Sequence, residues 1–158
     1  RPFPPSFPAQ GICMLISGQC QCGNIAFTLH WPQEAGSTPI AARACTCAFC
    51  VTHSGIWTSN PSARLEVRIG NAALVTRHSF ATKTAAFHIC NQCKDVPLVT
   101  SEIDGRLFAA VNVNAFQDLP PATVRCQPAS FDGESVAQRL ERRRQRWIAE
   151  VTFTEPPH

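Results

Sequence analysis

Seven of the nine cysteines in this chain lie in three short clusters, and the cysteine thiolate is a strong metal ligand. The patterns are C-x-C at Cys20 and Cys22, C-x-C-x-x-C at Cys45, Cys47 and Cys50, and C-x-x-C at Cys90 and Cys93. The three thiols of the central triplet (Cys45, Cys47, Cys50) cannot all pair with one another as disulfides, but all three can bind one metal ion. The spacing therefore predicts metal binding.

Two other roles of clustered cysteines fit the sequence less well. A secreted disulfide scaffold usually has an even number of cysteines in a short chain, whereas this chain has nine in 158 residues. A redox-sensing cluster is disfavoured because zinc-bound thiolates are shielded from oxidation. Cys13 and Cys126 stand outside the clusters, and the simplest interpretation of each is a small buried hydrophobic residue.

The clustered cysteines divide between two zinc ions. Zinc takes tetrahedral ligands, and structural sites use four protein ligands whereas catalytic sites leave one position open. The two outer pairs (Cys20 and Cys22, Cys90 and Cys93) supply four thiolates, and one ion bound by both would join distant segments and reduce the entropy of the unfolded chain. The central triplet remains for a second ion with an open position. We therefore predict two zinc ions per chain, one structural and one catalytic.

His53, three residues after Cys50, is the candidate catalytic residue beside the central triplet. An imidazole with a pKa of about 6.5 can transfer protons at neutral pH. Two alternatives stay open: an ordinary hydrogen-bonded histidine, or a fourth zinc ligand that would close the site and argue against catalysis. Asn112 and Asn114 are candidates for a polar pocket, whereas Trp57 fits a core aromatic better than a pocket wall.

The overall composition indicates one globular domain without a membrane span. Of the 158 residues 44% are hydrophobic, and no apolar run approaches the roughly 18 residues of a transmembrane helix. The net charge of +3 is weak, so a nucleic-acid partner is not indicated. The stretch GICMLIS lacks the charged region of a secretory signal, which favours the cytoplasm. The sequence leaves homo-oligomerisation open.

Hydrophobic alternation predicts a mainly β fold. Apolar residues recur at every second position in NIAFTLHW (24–31), ARLEVRIG (63–70) and RLFAAVNVNAF (106–116), as in half-buried strands. The segment ALVTRHSF (73–80) reads as a further short strand.

A helix is predicted only near the C-terminus, in DGESVAQRLERRRQRWIAEV (132–151). Val136, Leu140, Trp147 and Val151 share one face of that helix, and its arginines fit a solvated face better than an RNA- or lipid-binding one. We accordingly predict an extended proline-rich arm over 1–14, a zinc-binding domain over 15–128 and a helical extension over 129–158.

The segments SGQCQCGNIAFTL, CTCAFC and CNQC, in this order, resemble the motifs of the glutathione-dependent formaldehyde-activating enzyme family, which also includes centromere protein V. The resemblance spans roughly residues 15–116. It implies stacked β-sheets of the Mss4-like fold, a structural zinc on the outer pairs and a catalytic zinc on the central triplet. It also implies a carbon–sulfur lyase that acts on a thiol adduct of a small carbonyl compound, as in S-hydroxymethylglutathione.

Three positions depart from the family pattern. Val51 replaces a usual basic residue after the central triplet, Lys94 replaces a usual glycine after the last C-x-x-C, and His88 replaces an arginine found in many relatives. These positions border the expected pocket, so a non-glutathione small-molecule substrate is one alternative. A non-catalytic, zinc-stabilised binding module is the other.

Overall fold

A computed structural model of the chain describes residues 13–32, 40–45, 55–79, 85–117, 124–129 and 135–154. Their eleven strands form two sheets. The small sheet has the order β1 (Cys13–Gln19), β2 (Ile25–Pro32), β5 (Arg64–Ile69), β11 (Glu150–Thr154). The large sheet has the order β10 (Val124–Ala129), β3 (Ile40–Cys45), β4 (Ile56–Thr58), β9 (Arg106–Asn112), β8 (Leu98–Ile103), β7 (Ala86–Cys90), β6 (Val75–His78). The predicted mainly β fold is confirmed.

The small sheet follows the predicted alternation closely. Every second side chain from Ile25 to Leu29 on β2 is fully buried, and the antiparallel register places these residues opposite the buried positions of β5. The pairs are Ile25 with Ile69, Phe27 with Val67, and Leu29 with Leu65. One face of this sheet therefore packs into the core between the sheets, and the other faces solvent.

Strand β9 is buried on both faces, which the alternation in its sequence did not predict. Ala109 and Val111 belong to the core between the two sheets. Phe108 and Ala110 point to the other side of the large sheet and belong to a second hydrophobic core. A central strand that is covered on both sides carries apolar residues at successive positions, because neither face meets water.

The helix, α1 (Val136–Arg146), covers that second face and is shorter than predicted. It begins with a capping box in which Ser135 and Gln138 satisfy each other's backbone N–H groups. It ends at Trp147, whose backbone is extended. Ile148 then exchanges two backbone hydrogen bonds with Ala109 of β9, and β11 pairs with β5 in parallel.

Two residues assigned to the helical face therefore lie beyond the helix. Trp147 packs into the second core, and Val151 is a strand residue of the small sheet. The apolar spacing of 132–151 fits a helix, but the residues from Ile148 onward pair with both sheets, which satisfies their backbone groups without a further helical turn.

Arg143 corrects the prediction of an entirely solvated arginine face. It is the buried residue of α1, with 8% of its surface exposed. Its guanidinium carbon lies 4.9 Å from the centre of the Trp147 ring, and its Nη1 donates to Ser101 Oγ at 3.3 Å. A guanidinium can be buried in this way because it stacks on an aromatic face while it hydrogen-bonds at its edge.

The predicted division into arm, zinc-binding domain and helical extension stays a prediction, and residues 1–12 of the arm lie outside the described residues. Within the described residues, no helix has the length and hydropathy needed to cross a membrane.

Gly18 is a close packing point between β1 and β2. A Cβ atom on Gly18 would lie 2.2 Å from Cζ of Phe27, which is fully buried in the core. We expect Gly18→Ala to lower the free energy of unfolding by about 1–3 kcal/mol. In a Phe27→Leu background the same change should cost much less. Urea unfolding of the four proteins measures both values.

Ser17→Ala, at the exposed neighbouring position of β1, serves as the control and should change the unfolding midpoint little. An equal cost of Gly18→Ala in both backgrounds would contradict the assigned contact.

Candidate metal centre

The first outer pair lies in the tight turn between β1 and β2. Cys20 directly follows β1, its N–H donates to the Ile25 carbonyl, and its own carbonyl accepts from the Gly23 N–H, both at 2.9 Å. Gly23 has a φ of 85°, a conformation that suits glycine because it lacks a Cβ atom. The turn thus holds Cys20 and Cys22 close together at one end of the small sheet.

The second outer pair lies in the turn after β7. Lys94 N–H donates to the Cys90 carbonyl at 2.7 Å, and Cys90 N–H donates to the Asp95 carbonyl at 2.9 Å. Lys94 has a φ of 68°, so the position where glycine is usual in the resembling family has a left-handed backbone here. The turn needs this conformation whichever residue occupies it, and lysine adopts it at some cost.

The two turns meet. The N–H of Gln21 donates to Asp95 Oδ2 at 2.8 Å, which ties the first turn to the second. The sulfur atoms of Cys20, Cys22, Cys90 and Cys93 all lie within 4.8 Å of one another. Among the residues that the structure describes, this is the group of histidine, cysteine or acidic side chains that could hold a metal ion.

The distances fit a tetrahedral thiolate site. The Sγ atoms of Cys20 and Cys22 are 3.7 Å apart, and those of Cys22 and Cys90 are 3.4 Å apart. Four sulfurs about 2.3 Å from one zinc ion would be about 3.8 Å from each other. The cluster therefore needs only small adjustments to close around an ion, and four sulfur ligands are a set that zinc binds.

Burial and hydrogen bonding shift the pKa values of Cys20, Cys90 and Cys93 in different directions. Burial raises the pKa of Cys20 to about 12, although the Ile25 N–H, 3.3 Å from its sulfur, acts in the opposite direction. Burial also raises the pKa of Cys90. Burial raises the pKa of Cys93 too, but the N–H groups of Asp95 and Cys22 and the neighbouring thiols lower it to about 7. The N–H donors aimed at sulfur are those that would stabilise metal-bound thiolates.

The central triplet is described only at its first residue. Cys45 is the last residue of β3, and Cys47, Cys50 and His53 lie outside the described residues. The chain on both sides of the triplet is held in the large sheet, because Ala44 of β3 pairs with Ile56 of β4. The prediction of an open three-cysteine site stays a prediction.

Asn112 has a structural role beside the triplet's strand. It is 4% exposed, its Nδ2 donates to the Val96 carbonyl at 3.1 Å, and its Oδ1 accepts from the N–H groups of Ile56 and Asn114. One buried amide thus joins the start of β4, the approach to β8 and the end of β9. The sequence analysis made Asn112 a candidate for a polar pocket. The signal that could have indicated its structural role is a polar residue in an otherwise apolar strand.

Two other residues singled out in the sequence have clear positions. Trp57 is a core residue, as expected, with its ring centre 5.7 Å from that of Phe87. Cys126 is exposed on the edge strand β10, so the prediction that it is buried was wrong. Among the described strands β10 has a neighbour on one side only, so both of its faces are less covered than those of a central strand. Pro128 in the same strand was the available signal of an edge, because proline cannot donate to a neighbouring strand.

His88 is buried at a departure from the family pattern. It is 2% exposed on β7, and its Nε2 lies 2.9 Å from Thr100 Oγ1. Burial, and then the charge of Arg77, lower the pKa of His88 to about 4, so its ring is neutral at neutral pH.

Comparison with known proteins agrees with the cysteine pattern. A family model described as glutathione-dependent formaldehyde-activating enzyme matches residues 15–131, which include all seven clustered cysteines. The chain belongs to this family. A protein of Rhodobacter sphaeroides, known from its crystal structure, is similar to this chain with 25% sequence identity and a TM-score of 0.50. The similarity covers 70% of this chain and 99% of that one. No curated protein matches the sequence.

Lys94 offers a test of the turn that presents Cys93. We expect Lys94→Gly to raise the free energy of unfolding by about 0.5–1 kcal/mol, because glycine adopts a positive φ without strain while also loosening the unfolded chain. Lys94→Ala keeps the Cβ atom and should leave stability nearly unchanged. Chemical denaturation of the metal-loaded proteins compares the three. If Lys94→Ala raised the free energy of unfolding as much as Lys94→Gly, the positive φ at this position would not be the cause of the gain in stability.

The four-cysteine cluster predicts a bound metal ion that stabilises the fold. We expect Cys90→Ser to lose that ion and to lower the free energy of unfolding by more than about 4 kcal/mol, since the ion links two distant turns. Cys126→Ser, which removes an exposed thiol outside the cluster, should keep both metal content and melting temperature. Elemental analysis and thermal unfolding give the two readouts. Metal content that is unchanged in Cys90→Ser would contradict the assignment.

Proposed function

We propose that this member of the formaldehyde-activating enzyme family is a zinc-dependent carbon–sulfur lyase. Its substrate would be a thiol adduct of a small carbonyl compound, of the S-hydroxymethylglutathione type. The observation that carries the proposal is that the family match spans all seven clustered cysteines while four of them already form one cluster. Three cysteines in the family's pattern then remain for a second site.

The strand order supports two separate metal sites. Cys45 ends β3 and Cys90 ends β7, and three strands lie between β3 and β7 in the large sheet. Four steps of about 4.8 Å place the two strands about 19 Å apart. Cys45 is therefore too distant to complete the outer-pair cluster, whose four sulfurs already suffice for a tetrahedral ion. We propose two zinc ions per chain, the second on the central triplet.

The proposed chemistry is reversible addition of a thiol to a carbonyl carbon. In the synthetic direction a sulfur–carbon bond forms, the carbonyl π bond breaks, and the thiol proton ends on the carbonyl oxygen. Zinc bound by three thiolates would supply a fourth position at which an incoming thiol is stabilised as thiolate. Cys45, Cys47 and Cys50 would hold that ion, and His53 would accept the thiol proton and return it to oxygen.

Glutathione is one candidate for the thiol, and a different small thiol is the alternative. Val51 carries no charge, and His88 is buried and neutral where many relatives carry arginine. Neither position then supplies a positive charge for the carboxylates of glutathione. The class of reaction depends on the zinc ligands and is unaffected by this choice.

Zinc content and turnover of Cys47→Ala test the proposal together. We expect about two zinc ions in the wild-type chain and one in Cys47→Ala, whose melting temperature should stay close to that of the wild type. Magnetisation transfer measures the rate at which formaldehyde and glutathione interconvert with their adduct. In Cys47→Ala this rate should fall to the uncatalysed value. The same assay with cysteamine and 2-mercaptoethanol identifies the preferred thiol.

Cys126→Ala is the matched control, because it also removes one thiol but should keep both zinc ions and full turnover. Wild-type rates in Cys47→Ala would overturn the proposed lyase site. Unfolding of Cys47→Ala as complete as that of Cys90→Ser would show the second ion to be structural and would favour a binding module. His53→Gln should retain two zinc ions and lose most of the rate, and a chain with one ion would identify His53 as a ligand instead.

A further inference from the structure

Strand β3 places an arginine on the face of the large sheet that α1 covers. Arg43 is opposite Trp57 of β4 in the antiparallel register, so the two side chains lie on the same face of the sheet. Trp57 belongs to the second hydrophobic core, against which Leu140 of α1 packs. The side chain of Arg43 therefore lies on the helix side of the large sheet, where it is half-buried.

The helix brings two more arginines to the same place. Ser59, which directly follows β4, donates from its Oγ to the Arg146 carbonyl at 2.9 Å, so the last turn of α1 lies beside the end of β4. Arg142 is four residues earlier and therefore lies on the same side of the helix. The positive charges of Arg142 and Arg146 both act on Arg43.

A ligand can approach these arginines from solvent. Arg146 is exposed, and Arg43 and Arg142 are partly exposed. Arg142 and Arg146 also line a shallow depression of about 530 Å³ along α1. The neighbouring edge strand β10 adds the exposed amide side chain of Gln127, which pairs in register with Arg43.

The charged neighbours of Arg43 among the described residues are cations. The charges that act on it are those of the two helix arginines, and no described carboxylate is among them. Glu141 is the acidic residue of α1, and its two oxygens accept hydrogen bonds from Arg144 and Gln145. Like charges that are held close together cost free energy, and an anion bound between them would remove that cost.

We propose that Arg43 and Arg146 bind the phosphate group of a small soluble molecule, with Arg142 adding positive charge beside them. A guanidinium group matches two phosphate oxygens with paired hydrogen bonds, and a doubly charged phosphate fits a site of several cations. The site is separate from the proposed zinc-dependent reaction, and its test does not use turnover.

Two larger carriers of phosphate fit this surface less well. A helix that binds a membrane inserts its apolar side chains into the lipid, but Leu140 of α1 packs against the second core instead. A single-stranded nucleic acid stacks its bases on accessible rings, and Trp57 and Trp147 are both buried. Affinity for a nucleic acid also grows with the number of phosphates contacted, and three arginines contact few.

Inorganic phosphate is the probe, and acetate is its singly charged comparison. Each is titrated at constant ionic strength and pH 7.5 into the metal-loaded full chain, and backbone amide ¹H–¹⁵N spectra are recorded. Phosphate should give saturable shifts at Arg43, Gln127 and Arg146. Acetate should bind at least about tenfold more weakly, because a single negative charge is attracted less strongly by the arginines.

Two variants decide the residues. Arg43→Gln and Arg146→Gln each remove one guanidinium group and should weaken phosphate binding about 10- to 100-fold. Arg68→Gln, on the exposed face of β5 in the small sheet, removes the same charge elsewhere and should leave the affinity unchanged. If the half-buried Arg43→Gln does not fold, Arg146→Gln at its exposed position decides the question.

Shifts that stay linear in phosphate concentration, equal binding of acetate, or wild-type affinity in Arg146→Gln would each overturn the proposal. A DNA duplex and vesicles of an anionic phospholipid are titrated in parallel at the same phosphate concentration. If either one binds more tightly than inorganic phosphate and loses that binding in Arg146→Gln, the assignment to a small molecule is wrong.

Discussion

The meeting of two turns at the same end of the sandwich is the constraint on which the rest of the structure depends. One turn belongs to the small sheet and carries Cys20 and Cys22, and the other belongs to the large sheet and carries Cys90 and Cys93. The sulfurs can converge only if the sheets stack with these ends together. The bond from Gln21 N–H to Asp95 aligns the two turns without any sulfur taking part. A metal ion here would then join two segments about 70 residues apart in sequence, and it would stabilise the folded chain because the assembled four-thiolate site binds the ion far better than the unfolded chain does.

The cluster is continuous with the hydrophobic core. Cys20 and Cys90 are fully buried members of the same core as Phe27 and Val111. This burial raises the pKa of both thiols, so the metal-free cluster holds protons rather than thiolates at those two positions. An ion must displace these protons, and the resulting charge is stabilised by the ion and by N–H donors such as that of Ile25. A bound ion would therefore stabilise the same end of the molecule as this hydrophobic packing does.

The features that could be predicted from the sequence are those that depend on the spacing of residues along one short segment. The alternation in β2 and β5 gave their buried faces correctly, and the spacing of the outer pairs predicted four cysteines that the structure brings together. The end of α1 and the burial of Arg143 were missed because they depend on strands that are distant in sequence. Ala109 of β9 pairs with Ile148, and Ser101 of β8 accepts a hydrogen bond from Arg143. The roles of Asn112 and His88 were missed for the same reason. The hydrogen-bond partners that these buried polar groups have lie on other segments of the chain, and spacing along one strand contains no information about them.

The separation of the two cysteine sets has a mechanistic consequence. An ion with an open coordination position is held by fewer protein atoms than a closed one, so its surroundings must be rigid without its help. The strands that flank the central triplet meet that condition. Asn112 joins the start of β4, the segment before β8 and the end of β9 through three hydrogen bonds, and Ala44 pairs with Ile56. The outer-pair cluster closes the opposite part of the large sheet. Such a frame would allow the proposed three-cysteine site to stay coordinatively incomplete, because the stability of the sandwich would not depend on it.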